Sequence, residues 1–291
     1  MRLKPENLSQ NQTPHKCTVG CPVLDRHLGG GVPCNSVTEL VGESATGKTQ
    51  FCLQLVLSAQ LPPSHGGLSA SSIYIHTEFP FPFRRLQQLS RAFRSTHPHL
   101  PCRDPCDRVF VRPVNSTRDL LEAISTIEVF LQESKSPWLP VRVVVIDSIA
   151  AIFRSEFDNT GSDLRRRSSL FFTISGRLKL LANKYGLVVV VTNQVVDFIS
   201  GGGEVRVGNF SDGLSSSGRR VCPALGLAWA HCVNSRLFLS KDGGDGLITK
   251  RRISLVFAPH LPFFSSQFVI RRDGIFGVDM LPQQQQLQRD V

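Results

Sequence analysis

Short, almost unbroken apolar runs alternate along this chain with stretches of helical spacing. The runs are Val37 to Val41, Ile73-Tyr74-Ile75-His76, Val109 to Val111, Val141 to Asp147 and Leu187 to Thr192. Runs this short and this apolar suit parallel strands buried on both faces. Between them, Gln50 to Gln60, Arg84 to Phe93, Leu120 to Leu131 and Leu170 to Tyr185 read as helices. Their apolar residues fall on one side, as at Leu86, Leu89 and Phe93, or at Leu178, Leu181 and Ala182. Val19 to Leu28 reads as a short helix stopped by Gly29-Gly30-Gly31, with Pro33 forcing a turn beyond it. Three shorter strands follow at Arg236 to Leu239, Ile253 to Phe257 and Phe268 to Arg271. This alternation predicts an α/β fold, a three-layer sandwich with a mostly parallel central sheet and right-handed connections.

The pattern breaks in a few places. Leu61 to Ser72 is rich in Pro, Gly and Ser, and His97 to Asp107 holds three prolines; both are expected to be surface loops. Val195 to Val221 carries Gly201-Gly202-Gly203 without any periodicity and is expected to be a long mobile loop. Residues 1–16 read as a flexible polar arm and residues 282–291, with four consecutive Gln, as a disordered tail. Residues 17–281 are left as the core.

Composition narrows the picture. With 291 residues and 41% of them hydrophobic, the chain can bury a substantial core. A net charge of +10 favours a polyanionic partner, either nucleic acid or a phosphoinositide-rich surface. No apolar run reaches membrane-spanning length and the first residues have no secretory h-region, so no membrane association is expected. Of the eight cysteines, only Cys17/Cys21 and Cys102/Cys106 are close in sequence, and neither pair has a zinc-site complement. Reduced thiols point to the nucleus or cytosol.

The candidate chemistry centres on Gly42-Glu43-Ser44-Ala45-Thr46-Gly47-Lys48-Thr49, which reads G-x-x-x-x-G-K-T between a strand and a helix. The glycines let successive backbone N–H groups turn inward as an anion nest, and the helix adds its positive end. Lys48 brings a point charge to outer phosphates, and the Thr49 hydroxyl can ligate Mg²⁺. Asp147 ends the long apolar strand, where a carboxylate faces the ligand crevice and can help hold Mg²⁺, or simply cap the next helix. Glu78 ends the second strand and can orient or deprotonate water, or stand solvated. Gln194, after Thr192-Asn193, can sense a γ-phosphate or merely close a turn.

These pieces follow one another as the phosphate loop, Tyr74-Ile75-His76-Thr77-Glu78, Val145-Ile146-Asp147-Ser148, Thr192-Asn193-Gln194-Val195, a glycine loop and Ala258-Pro259-His260-Leu261-Pro262. In that order they resemble the core of RecA-type recombinases. Val19 to Asp25, Gly66-Gly67-Leu68, Arg85 to Leu89, Arg154 to Asp158 and Pro223 to Gly226 look most like the eukaryotic recombinase paralogs of the X-ray-repair cross-complementing branch. The likeness spans residues 17–278 and implies a RecA-like phosphate-loop ATPase core. It implies that Gly42 to Thr49 bind ATP, that Thr49 and Asp147 hold Mg²⁺, and that Glu78, Lys48 and Gln194 are catalytic. Arg85 would lie beside the adenine. Pro259 and Pro262, in Ala258 to Pro262, would cap ATP across a subunit interface. Phe157 to Arg167 and Val195 to Val221 would be the two DNA-binding loops.

Basic residues fall in both loops: Arg165, Arg166 and Arg167 in the first, Arg206, Arg219 and Arg220 in the second. Arginines pair with phosphates, and few aromatics (Phe157, Phe198, Phe210) are placed to stack bases, so backbone binding of single-stranded and branched DNA is expected. On charge alone, a solvated helix start and a plain surface loop explain them equally well. Lys250-Arg251-Arg252 and Arg271-Arg272 read as a solvated edge or an interface. The chain also departs from the family. Phe79 stands where a Gly is usual, with Pro80 and Pro82 beside it, so slow DNA-dependent hydrolysis is expected. The family's N-terminal helical domain is expected to be missing or truncated, and no F-x-x-A docking motif is seen in residues 1–16, so a heterodimer with another recombinase paralog is expected. That subunit would act in homologous recombination, double-strand-break repair and Holliday-junction processing. The competing expectation is a self-assembling strand-exchange recombinase with robust hydrolysis; a small-molecule kinase fits less of the pattern.

Overall fold

Strands β1 (Lys16–Cys17) and β2 (Val32–Pro33) pair antiparallel around helix α1 (Pro22–His27). β3 (Ser36–Gly42) then runs into α2 (Lys48–Ser58). The alternation continues through β4 (Ser71–His76), α3 (Phe83–Thr96), β5 (Val109–Pro113), α4 (Thr117–Glu133), β6 (Val141–Asp147), α5 (Ile149–Glu156), α6 (Gly161–Tyr185) and β7 (Val188–Asn193). Next come β8 (Val195–Asp197), β9 (Leu214–Ser216), β10 (Arg219–Pro223) and α7 (Gly226–Ala230). The last strands are β11 (Ser235–Lys241), β12 (Arg251–Phe257), β13 (Ser265–Ile270) and β14 (Ile275–Val278). This computed structural model describes residues 15–78, 80–100, 103–133, 140–158, 160–198, 213–242 and 249–279. The expectations for residues 1–14, Phe79, Gly201-Gly202-Gly203, Arg206, Phe210 and residues 282–291 lie outside those described.

The main sheet has nine strands in the order β14-β13-β12-β11-β3-β7-β6-β4-β5. It is parallel from β11 through β5 and antiparallel from β11 out to β14. Period-two alternation sends its apolar residues to two cores. Val188 and Val190 of β7 join Leu24 of α1, Phe51 and Leu55 of α2 and Leu86 of α3. Val189 and Val191 join Leu120 of α4, Ile152 of α5 and Phe171 and Leu178 of α6. Each fully buried aliphatic side chain contributes about 1.5–3 kcal/mol, so the unbroken valine run stabilises both layers at once. The mostly parallel three-layer α/β fold therefore matches the pattern in the sequence.

Three expectations need correction. The helix placed at Leu170 to Tyr185 begins at Gly161, because the Thr160 hydroxyl accepts from the Asp163 N–H at 3.2 Å and caps it. Arg165, Arg166 and Arg167 are thus helical rather than part of a loop. The glycine stretch after β7 is not loop throughout. Its ends form a three-stranded antiparallel sheet, β8-β10-β9, whose Leu214 and Val221 pack on Val41, Phe238 and Val256. Leu61 to Ser72 is not wholly surface either: Leu61 and Ala70 are buried, and Ser71 and Ser72 already belong to β4. α5, α7 and β14 were not anticipated.

Candidate functional site

The loop between β3 and α2 sits at the C-terminal edge of the parallel strands, where open α/β sheets place ligands. Its shape requires glycine twice. A Cβ on Gly42 would lie 2.3 Å from the Leu239 carbonyl oxygen. Gly47, just before α2, has a φ of +110°. The Thr46 hydroxyl donates to the Glu43 carbonyl at 2.9 Å and braces the curl. The Lys48 ammonium donates to the carbonyls of Gly42 and Glu43 at 2.6 and 2.8 Å. Burial lowers the Lys48 pKa, and the charges of Asp147 and Glu78 oppose that shift.

Asp147, at the tip of β6, accepts three hydroxyls from three other elements. Thr49 reaches Oδ2 at 2.7 Å, Tyr74 reaches the same oxygen at 2.6 Å, and Thr192 reaches Oδ1 at 2.5 Å. Strand register brings these groups together: His76 pairs with Asp147, and Thr192 lies in β7 opposite Leu40 of β3. Sequence reasoning missed Tyr74 and Thr192; the only signal was a hydroxyl embedded in an otherwise apolar strand. Burial pushes the Tyr74 phenol well up from its ordinary value, and the Asp147 charge adds to it. The Asp147–Ser148 peptide is cis.

Glu78 and Gln194 complete the cavity wall. The Gln194 amide donates to Glu78 Oε1 at 2.6 Å, and Arg154 donates to Gln194 Oε1. Arg85 is fixed by Gln50 at 2.6 Å and by the backbone carbonyls of Arg271 and Arg272, each at 2.7 Å. Glu43, Ser44, Ala45, Gly47, Lys48, Thr49, Glu78, Arg85, Asp147 and Gln194 all line one cavity of about 1050 Å³. Gly42 and Thr46 brace the curl of the same loop. Arg251, from the second basic strip, faces the same space and donates to the Ala45 carbonyl at 3.2 Å. The arrangement can hold a polyphosphate, place a divalent cation near hydroxyl and carboxylate oxygens, and keep a carboxylate within reach of water.

The Rad51 family model matches residues 11–278 of the chain. The chain belongs to the Rad51 family. The "DNA repair protein XRCC3 homolog" of Arabidopsis thaliana is 50% identical to this Rad51-family chain over 300 aligned positions, covering 95% of the chain and 98% of that relative. The "DNA repair protein XRCC3" of Mus musculus is 35% identical over 90% of the chain and 75% of its own length. The "DNA repair protein RAD51 homolog 2" of the same organism is 32% identical over 87% of the chain and 72% of its own length. The chain is thus an XRCC3-like member of the RecA-type recombinases, and membership implies nucleotide binding.

Of the other expected site residues of this Rad51-family chain that are described, Arg219 lines the same cavity and the rest lie apart from it. Pro259 and Pro262 are exposed beyond β12. Arg251 at one end of that strand pairs with Lys241 beside the phosphate loop, and Phe257 at the other pairs with Arg236. Six steps of about 3.3 Å separate those ends by roughly 20 Å, so the two prolines do not reach the chain's own cavity. Arg165 and Arg166 are exposed on α6; the Arg166 guanidinium stands over the Phe157 ring and that of Arg167 over the Phe171 ring. Arg219 is engaged close to the phosphate loop, with Glu43 at 3.2 Å and Asp197 at 3.0 Å. Arg220 stands over the Phe198 ring at 5.4 Å. Among the described residues no helix is long and apolar enough to cross a membrane, and no group of three His, Cys, Asp or Glu could hold a metal ion.

Proposed function

We propose that this Rad51-family chain is an ATP-binding recombinase paralog acting in DNA double-strand-break repair by homologous recombination. It pairs with a second recombinase paralog, contacts single-stranded and branched DNA, and supports strand exchange and Holliday-junction processing in the nucleus. The observation that carries this reading is the 2.7 Å bond from Thr49 to Asp147 beneath a glycine cradle, with Glu78 and Gln194 on the same wall.

The residues present fit Mg²⁺ and ATP. The close approach of the Leu239 carbonyl at Gly42 leaves room only for a bare backbone, as a phosphate nest needs, and the Thr49–Asp147 pair offers hard oxygen donors. When bound, Mg²⁺ supplies charge that neutralises phosphate oxygens. Lys48 binds the outer phosphates. Thr49 and Asp147 hold the cation. Glu78 orients water and accepts its proton, and Gln194 reports the γ-phosphate to β8. Arg85, held through all three guanidinium nitrogens, offers its flat face to the adenine. Pro82 caps α3 directly after the segment that follows Glu78, which favours slow hydrolysis. Pro259 and Pro262, too far from their own loop, cap a neighbouring subunit's nucleotide.

Titration with a fluorescent ATP analogue tests this reading. Lys48→Ala should abolish Mg²⁺-dependent binding and weaken partner and DNA complexes together. Unchanged nucleotide affinity in that variant would show the site assignment to be wrong.

A further inference from the structure

Glu43, the first variable position of the phosphate loop, is tied to the strand that follows the glycine stretch. β9 and β10 are joined by Ser217-Gly218, with φ angles of +52° and +73° and Ser216 paired to Arg219. Two positive φ angles make this a tight hairpin turn of the primed type, whose twist matches its strands. The tip of that turn rests on the phosphate loop. The hydroxyls of Ser216 and Ser217 both donate to Glu43 Oε1, and Arg219 Nη2 donates to Oε2 at 3.2 Å. Burial would raise the Glu43 pKa, but these donors and the Lys241 charge outweigh it and hold the carboxyl below its ordinary value.

Lys241, at the end of β11, closes the clasp. Its N–H donates to Ser216 Oγ at 3.1 Å, its carbonyl accepts from the Ser217 N–H at 2.8 Å, and its ammonium donates to the Ser44 carbonyl at 3.2 Å. The three-stranded sheet β8-β10-β9 is therefore anchored at both ends of the site. β8 begins directly after Gln194, whose backbone carbonyl accepts from the Ala224 N–H at 2.9 Å beyond β10. The β9–β10 turn ends on Glu43. The Lys48 ammonium, which holds the Glu43 carbonyl at 2.8 Å, is the group that a nucleotide phosphate would recruit. Any rearrangement of Lys48 thus acts on the backbone of the residue whose side chain grips the hairpin.

We propose that Glu43 is a positioning residue that couples nucleotide occupancy of the phosphate loop to the β9–β10 hairpin, through Ser216, Ser217 and Arg219. The inference rests on the nucleotide reading above and adds a second route beside Gln194. The route joins the phosphate loop to the far end of the second loop, whereas Gln194 joins it to the near end.

The test uses the full chain, Ser216→Ala/Ser217→Ala, and ATP with Mg²⁺. Two quantities are read: affinity for a fluorescent ATP analogue, and hydrogen exchange of residues 214–223 with and without ATP. In the unsubstituted chain ATP should slow exchange across the hairpin. In the double variant affinity should be retained while that slowing is lost. Ser217→Gly suits the +52° backbone angle and is the second variant should the double variant not fold. ATP binding with equal slowing in the variants, or with no slowing in the unsubstituted chain, overturns the coupling alone. Failure of the unsubstituted chain to bind ATP overturns the nucleotide reading and the coupling with it.

Discussion

The Tyr74 hydroxyl donates to Asp147 at 2.6 Å, on the same oxygen that Thr49 reaches. A buried phenol on β4 therefore helps aim the carboxylate at the tip of β6. The chain spends a fully buried tyrosine on this contact, with its ring edge-on to Phe81 at 5.1 Å. Tyr74→Phe keeps the ring and removes the donor. A hydrogen bond to a charged group contributes about 1.5–3 kcal/mol, so the urea midpoint should fall by a corresponding amount with an unchanged slope. Mg²⁺-dependent nucleotide affinity should fall with it, since Asp147 then keeps two hydroxyl donors among the described residues, Thr49 and Thr192. A midpoint equal to that of the unsubstituted chain would show that the bond contributes nothing.

A buried carboxylate supports the sheet below the cavity. Glu39, in the middle of β3, is fully buried and is bonded by Arg236, by the Trp229 indole at 2.9 Å and by the Asn193 amide at 2.7 Å. β3, β7, β11 and α7 meet at this one side chain. Removing one member of a buried pair leaves the other charge uncompensated and costs about 3–5 kcal/mol. Arg236→Met should unfold at a much lower urea concentration. Glu39→Gln/Arg236→Met removes both charges and should recover most of the loss. A double variant no more stable than Arg236→Met would rule out this account of the pair.

The depressed carboxyl of Glu43 makes stability depend on acid. A group whose folded pKa lies below its unfolded value contributes above the unfolded value, and loses that contribution as pH falls through the folded one. Glu43→Gln should therefore be less stable than the unsubstituted chain at neutral pH. The gap should narrow once pH drops below about 4.3, the ordinary glutamate value. Urea midpoints of both proteins across that range measure it. A gap independent of pH would mean that the carboxylate charge is not what holds the hairpin.

Much of this architecture is legible in the sequence because the central strands are extreme. Val188 to Val191 must be buried on both faces, and that alone fixes a parallel sheet with helices on either side. The phosphate loop is equally legible, since Gly42, Gly47, Lys48 and Thr49 each answer a separate local demand. Long-range partners left no such mark. Tyr74 and Thr192 look like ordinary strand residues until register sets them beside Asp147. Arg251 reads as a solvated edge or an interface until β12 folds back along β11 and brings it to Ala45. Short elements were also missed: the clasp at Ser216 to Arg219 is made by strands of a few residues within a glycine-rich stretch, where periodicity has nothing to count.

The arginines at the start of α6 carry the remaining prediction. Arg165 and Arg166 are exposed, and no acidic partner within hydrogen-bond reach of either is found among the described residues. A helix fixes their spacing, and the rings of Phe157 and Phe171 support Arg166 and Arg167 from below. Each phosphate neutralised on a single strand contributes about 0.7 to the slope of log affinity against log salt. Replacing Arg165 and Arg166 with alanine should therefore lower that slope by about 1.4 and weaken single-stranded DNA binding most at low salt. Since both side chains are solvated, thermal stability should hardly change. A slope identical to that of the unsubstituted chain would remove this helix from the DNA-contacting surface and leave the contact to the second loop.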